Sequence, residues 1–328
     1  MIDEPNQSKF TLTVALERGA ECNLPAPLNA VAGSALEHIR EGCFQRSLCL
    51  IVAATSVASG LEVGYEHYKG SYSNPVMYTP VILSGALAGS GLLAVFNRKC
   101  ARTILRWVSV GTLADGIIGF FFHVRGIARK PGGWGLPVTN IVMGPPIFAP
   151  LLFGTSAYLG MMASYLRREE DLHKQGERVG EIAAESTSGS DWRTDLRYGR
   201  FQKHLSALTI AWAFFSGFEA LYSHFKSNFR FKAQWTPVLL APLLMAAAAG
   251  AIKSRRMANS ALPIVSALAL ADGAAGFFYH ARGITRRSGG LKKPLYNAIY
   301  GPPIFAPLLF AACGFLGLLA SLLRRERR

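Results

Sequence analysis

The amino-acid sequence repeats itself at an offset of 157 residues. Gly144-Pro145-Pro146-Ile147-Phe148-Ala149-Pro150-Leu151-Leu152-Phe153 returns letter for letter as Gly301-Pro302-Pro303-Ile304-Phe305-Ala306-Pro307-Leu308-Leu309-Phe310. Ala114-Asp115-Gly116 returns as Ala271-Asp272-Gly273, Glu62 as Glu219, His67 as His224 and His123 as His280. The register runs without a gap from Phe44/Phe201 to Glu169/Glu326. A repeat constrains architecture before any other signal, because both copies must adopt one local structure. It also acts as a filter: apolar positions differ freely between the copies, while a small polar set does not.

Each copy is too apolar for a soluble domain. Half the residues are hydrophobic and 17% are charged, against about a quarter charged in a typical soluble protein. Stretches of roughly 20 apolar residues are long enough to cross a bilayer core as helices. Four occur per copy, at 47–68, 76–96, 104–124 and 145–166, then at 205–224, 236–252, 262–281 and 302–323. The expected fold is an all-α integral membrane protein with eight transmembrane helices, arranged as two tandem parallel four-helix repeats. An even number of crossings returns each repeat to its starting side, so the repeats are parallel and not inverted. They are read as separate bundles at residues 46–168 and 204–328, the second with a basic tail. A polar N-terminal segment, 1–45, lacks a signal-peptide pattern. A polar linker, 169–203, contains the flexible stretch Ser186-Thr187-Ser188-Gly189-Ser190.

Charge sets the expected orientation. With the N-terminus in the cytoplasm, 23 of the 35 Lys and Arg residues fall on the inside, as the positive-inside rule requires. Both termini and the linker are then cytoplasmic, and the expected location is the cell inner membrane. The net charge of +15 flanks membrane spans, so no nucleic-acid partner is implied. The five cysteines, Cys22, Cys43, Cys49, Cys100 and Cys313, fall in cytoplasmic segments or inner parts of spans. No structural disulfide is expected of them.

Prolines mark helix starts at Thr79-Pro80, Thr236-Pro237, Pro145-Pro146 and Pro302-Pro303, where a missing N–H is harmless. Pro150 and Pro307, one turn deeper, are expected to kink the fourth span of each repeat.

The repeated polar residues gather at the outer end of the first and third spans. Glu62, Tyr65, His67 and Lys69 close span 1, and Glu219, Tyr222, His224 and Lys226 close span 5. Asp115, His123, Arg125 and Arg129 run along span 3, matched by Asp272, His280, Arg282 and Arg286. Carboxylates inside a bilayer are costly, so an intramembrane Asp or Glu is a functional hypothesis by default. Glu62, Tyr65, Asp115, Glu219, Tyr222 and Asp272 are read as a proton, ion or hydrogen-bond network. Spans 1 and 3 run in the same direction, which brings His67 level with His123, and His224 level with His280. Two imidazoles facing each other across a bundle suit axial ligation of haem b, one per repeat. Lys69, Arg125, Arg129, Lys226, Arg282 and Arg286 are placed where anionic propionates would emerge. Gly60, Gly116 and Gly119 leave space for close helix approach or for a flat ligand.

The expected function is a redox anchor that passes electrons between an extracytoplasmic redox protein and a quinone pool, with the lipid bilayer as its medium. Two rivals use the same residues. One is a transporter or ion-coupled permease built on the intramembrane carboxylates. The other is a non-haem metal site drawing the four histidines together with the carboxylates. His38, His173 and His204 have no counterpart in the other copy and are read as solvated or interfacial.

Overall fold

The computed structural model describes residues 26–172 and 191–326. Residues 1–25, with Cys22, and 173–190, with His173 and the Ser/Gly stretch of the linker, lie outside the described residues. In chain order the helices are α1 (Ala26–Arg40), α2 (Gln45–Lys69), α3 (Thr79–Phe96), α4 (Arg98–Arg102), α5 (Ile104–Ala128), α6 (Pro137–Val142) and α7 (Ala149–Ala163). After α8 (Trp192–Arg197) follow α9 (Gln202–Lys226), α10 (Thr236–Lys253), α11 (Arg255–Asn259), α12 (Ala261–Thr285), α13 (Pro294–Ile299) and α14 (Ala306–Leu322). Among the described residues there is no β-strand, only an isolated bridge between Arg200 and Arg324.

Six helical stretches are long and apolar enough to cross a membrane: Gln45–Lys69, Pro75–Phe96, Arg98–Ala128, Gln202–Lys226, Lys232–Lys253 and Arg255–Thr285. The chain is therefore a helical, multi-pass membrane protein. The fourth expected span of each half is different. Its helix covers 15 residues in α7 and 17 in α14, about 22 and 25 Å at 1.5 Å per residue, short of a core about 30 Å thick. The residues before it, Gly144–Phe148 and Gly301–Phe305, are not helical. Pro150 and Pro307 stand in the first turn of these helices and start them, so the expected mid-span kink does not occur. The adjacent glycines are forced: a Cβ on Gly144 would lie 2.3 Å from the Asn140 carbonyl oxygen, and one on Gly301 equally close to that of Asn297.

In the first half α2, α3, α5 and α7 form a ring in which α3 and α7 each contact both α2 and α5. In the second, α10 and α14 stand in the same way between α9 and α12. The Gln45 side chain donates to the carbonyls of Ala163 and Leu166 (both 2.9 Å), so α7 ends where α2 begins.

This end is closed by residues that follow the last helix of each half. Glu169 accepts from the backbone N–H groups of Arg46 (3.1 Å) and Ser47 (2.9 Å), and Glu326 accepts from those of Lys203 (3.1 Å) and His204 (2.8 Å). They satisfy helix-start donors that have no intrahelical partner. Arg168 donates to the Ala94 carbonyl (3.0 Å) at the end of α3. Arg325 donates to those of Ala251 (2.7 Å) and Ile252 (2.8 Å) at the end of α10. The described part of the linker also folds onto this end, where Leu196 of α8 joins the core.

One hydrophobic core runs through both halves, including Leu48, Leu87, Leu105 and Leu159 of the first and Leu205, Leu244, Leu262 and Leu316 of the second. It fills the arginine end. On α2 the buried positions stop at Ser56; on α5 they stop at Gly116 and resume only at Ile127. Towards the other end, which carries the histidines, the inward positions of α2 and α5 are only partly covered by protein.

Candidate functional site

The carboxylates at the histidine end reach across the molecule. Glu219, on α9 of the second half, accepts the backbone N–H of Phe148 in the first (2.6 Å). Glu62, on α2, accepts that of Phe305 in the second (3.0 Å). Each carboxyl group therefore caps the start of the short helix belonging to the opposite half, where an oxygen acceptor meets an N–H group that has no intrahelical partner. Tyr65 donates to Glu62 (2.6 Å) and Tyr222 to Glu219. Trp212 adds another tie between halves, donating its indole N–H to the Thr155 hydroxyl. Around Phe148 the rings of Phe120, Phe214, Phe215 and Phe218 gather at centroid distances of 4.6–6.0 Å. The expectation of two separate bundles is thus corrected: the halves are latched reciprocally.

The histidines also hold broken backbone. His67, in the last turn of α2, directs Nδ1 to the Met77 carbonyl (2.6 Å). His123, near the end of α5, directs Nδ1 to the Pro146 carbonyl (2.5 Å), and His280 does the same with Pro303 (2.6 Å). A carbonyl can only accept, so each Nδ1 carries a proton, and in the neutral ring Nε2 is then the nitrogen with the lone pair. Among the described residues the His224 ring has no hydrogen-bond partner. His67 lies within electrostatic reach of His123, and His224 of His280. The rings come from the two helices of each half that are separated by α3 and α7, or by α10 and α14.

A strained turn follows each first-helix histidine. Ser71 and Tyr72 have φ of 57° and 44°, and Asn228 and Phe229 have 51° and 47°. Consecutive side-chain-bearing residues in this region cost about 1–2 kcal/mol each. The turn stacks Tyr72 on Tyr78 (4.2 Å) and sets its ring edge-on to His67 (6.1 Å). In the second half Phe229 stacks on Trp235 (3.9 Å) beside His224.

Asp115 accepts from the Thr79 hydroxyl (2.6 Å) and Asp272 from that of Thr236 (2.5 Å). A hollow of about 360 Å³ opens in front of Asp115. Asn140 and Asn297 are buried and donate to the carbonyls of the preceding loops. Lys69 forms an ion pair with Glu66 (2.9 Å), while Arg125, Arg129, Arg282 and Arg286 are exposed. Lys226 lies over the Tyr222 ring.

The glycines are occupied by protein. A Cβ on Gly116 would lie 2.7 Å from the Pro150 carbonyl oxygen, and one on Gly119 3.1 Å from the Pro150 ring. One on Gly60 would lie 2.7 Å from Ser84. Close helix approach, and not ligand space, is their use on these faces.

The site therefore divides. Glu62, Tyr65, Glu219, Tyr222 and Asn140 with Asn297 hold broken helix starts and loops, whereas His67, His123 and His280 hold backbone by Nδ1 and leave Nε2 without a partner among the described residues. Among the described residues no three His, Cys, Asp or Glu side chains converge to hold a metal ion. Thr79, Thr236 and the Phe148 and Phe305 amides escaped sequence reasoning as site members, although the two threonines recur at the same offset. No family model matches this chain, and no curated protein and no solved structure matches it significantly.

Proposed function

We propose that the chain is a redox anchor of a cell inner membrane. It crosses eight times as two tandem four-helix repeats, with both termini and the arginine end cytoplasmic. Each repeat holds one haem b, His67 with His123 and His224 with His280, and electrons pass between an extracytoplasmic protein and the quinone pool. The observation that carries this reading is the disposition of the histidine pairs. They stand on opposite helices of each ring, at the end away from the arginine contacts, and three of the four have Nδ1 tied to a carbonyl with Nε2 left to ligate. Such a second bond orients a ligating imidazole and fixes its tautomer. A pair without a third protein ligand suits a metal whose remaining positions a porphyrin fills. Haem would supply one-electron chemistry, while the chain supplies ligand orientation and positive charge. Arg125, Arg129, Arg282 and Arg286 are the residues free to meet propionates; Lys69 is engaged by Glu66.

The test is the visible spectrum of detergent-purified protein expressed with ample haem. A red protein is expected, and Ala at His67 or His123 should remove about half of the Soret absorbance. A colourless wild type refutes the proposal.

One observation favours transport instead. Discontinuous helices whose N-terminal ends point at carboxylates near a repeat interface are a recurring feature of secondary transporters, and α7 and α14 have that form. Here Glu62 and Glu219 already occupy those ends. A colourless protein in which Glu62→Gln and Glu219→Gln abolish ion or solute flux in vesicles would move the assignment to transport.

A further inference from the structure

The two halves differ in charge at the arginine end. Arg98 keeps a counterpart at the offset of 157 in Arg255, but Arg102 becomes Asn259, Arg106 becomes Pro263, Trp107 becomes Ile264 and Tyr165 becomes Leu322. In the first half Arg98, Arg106 and Arg197 all lie within electrostatic reach of Arg102. Arg197 comes from the linker, as the last residue of α8, and Arg167 donates to its carbonyl (3.3 Å). Guanidiniums from α4, α5 and α8 thus gather at one corner of the bundle. Like charges so placed repel unless an anion answers them.

The carboxylates that follow α7 are already engaged. Asp171 accepts from Arg98 through both oxygens (2.7 and 2.8 Å), Glu170 accepts from Arg46 (2.5 Å), and Glu169 caps α2. Arg106 is fixed in place. Its Nε donates to Ser164 Oγ (3.1 Å), its Nη2 donates to the Ser164 carbonyl (3.2 Å), and its plane lies over the Tyr165 ring (4.2 Å). Tyr165 in turn packs against Trp192 of α8 (5.3 Å). Among the described residues Arg106 Nη1 has no partner, and neither do the exposed guanidiniums of Arg102 and Arg197. Forked donors of this kind match the oxygens of a phosphate.

We propose that Arg102, Arg106 and Arg197, backed by Arg98, seat the phosphate of an anionic phospholipid whose chains run down the adjoining face of α5. That face chooses a lipid over a soluble phosphate. Val110, Leu113 and Ile117 follow Arg106 at helical spacing on one side of the helix, and Val110 and Ile117 are 40% and 52% exposed. Trp107, next to Arg106, is 72% exposed, as tryptophans at a membrane interface are. A free phosphate or a nucleotide would leave this apolar track bare, whereas acyl chains cover it. The charge chooses an anionic head over a zwitterionic one. With Asp171, Glu170 and Glu169 engaged, the guanidiniums meet a phosphate while nothing in that acidic run is left for a choline or ethanolamine ammonium. Basic sites beside membrane helices recognise anionic headgroups in this way.

The experiment titrates full-length protein in mild detergent with phosphatidylglycerol, or with phosphatidylcholine of the same chains, and counts bound lipid by native mass spectrometry. One phosphatidylglycerol per chain is expected to bind about tenfold more tightly than phosphatidylcholine. Arg102→Asn, which copies the second half at an exposed side chain without a partner, should weaken it about fivefold. Arg102→Asn combined with Arg197→Gln should weaken it about 25-fold. Arg255→Gln removes the same charge from the second half and should leave the affinity within about twofold. Equal loss with Arg255→Gln would show that binding follows overall charge, and overturns the proposal. So does equal affinity for the two lipids, or an unchanged affinity in the double variant. Displacement by glycerol 3-phosphate at the concentration of the lipid overturns it as well, because the chains would then contribute nothing.

Discussion

Glu219→Ala is the sharpest test of the reciprocal latch. The carboxylate accepts the Phe148 N–H at 2.6 Å and the Tyr222 hydroxyl, and both donors lie inside the protein. Two magnitudes compete. Interhelical hydrogen bonds in membranes average only about 0.6 kcal/mol, because the unfolded chain in lipid finds other partners. Bonds to a charged group are worth about 1.5–3 kcal/mol, and an orphaned buried donor costs about 1–3 kcal/mol. The orphaned-donor case should win here. The Phe148 amide precedes a helix start, and the residues a turn before it are not helical, so no carbonyl stands where an intrahelical bond would need it. Alanine is therefore expected to destabilise by about 3 kcal/mol. Glutamine, which keeps an acceptor for the amide and lets its NH₂ meet the tyrosine oxygen, should cost about 1 kcal/mol. The assay is unfolding in mild detergent followed by tryptophan fluorescence, because Trp212 bridges the same interface through Thr155. A companion measurement cuts the chain within 173–190 and asks whether the halves copurify. They should do so in the wild type and lose most of that association in the double variant Glu62→Ala/Glu219→Ala. An alanine variant within 0.5 kcal/mol of wild type, or halves that stay together without both carboxylates, would refute the reasoning.

Three further outcomes are expected. Gly116→Ala should destabilise by about 1–3 kcal/mol as an overpacked contact with the Pro150 carbonyl. Gly85→Ala, where an added Cβ meets nothing within 4 Å, should stabilise by up to about 1 kcal/mol through helix propensity; thermal unfolding separates the two. Arg325→Lys should lower stability measurably in the same assay, because one ammonium cannot copy a guanidinium that serves the Ala251 and Ile252 carbonyls and the Gln202 side chain together. His38→Ala and His204→Ala should leave any Soret absorbance unchanged, since the His38 ring bonds within α1 to Ser34, and His204 sits at the arginine end with its backbone N–H on Glu326 and its ring beside Tyr158.

The helical membrane character and the six long helices were legible because apolar length is a local property of the chain. The fourth element of each half was legible only as an apolar stretch, for the same reason, and its helix is shorter than that stretch. Residues 145–166 are apolar enough to read as a span, but the forced Gly144 contact and the prolines stop regular helix until Ala149. Composition cannot see that the lost backbone bonds are replaced from elsewhere. The partner of the Phe148 amide is 71 residues away and that of Phe305 is 243 away, distances over which no spacing rule operates. The repeat could nevertheless point at the right residues, because a latch made twice must keep both carboxylates, both tyrosines and both GPPIF runs. What it could not separate was latch from ligand. Histidines that hold a carbonyl and carboxylates that hold an amide recur for equal structural reason, and only the bond count distinguishes them. A carboxylate with two accepted bonds is satisfied, whereas an imidazole with Nδ1 donated still presents a lone pair. Function in a duplicated scaffold is thus to be sought in the unsatisfied atoms of its repeated pairs.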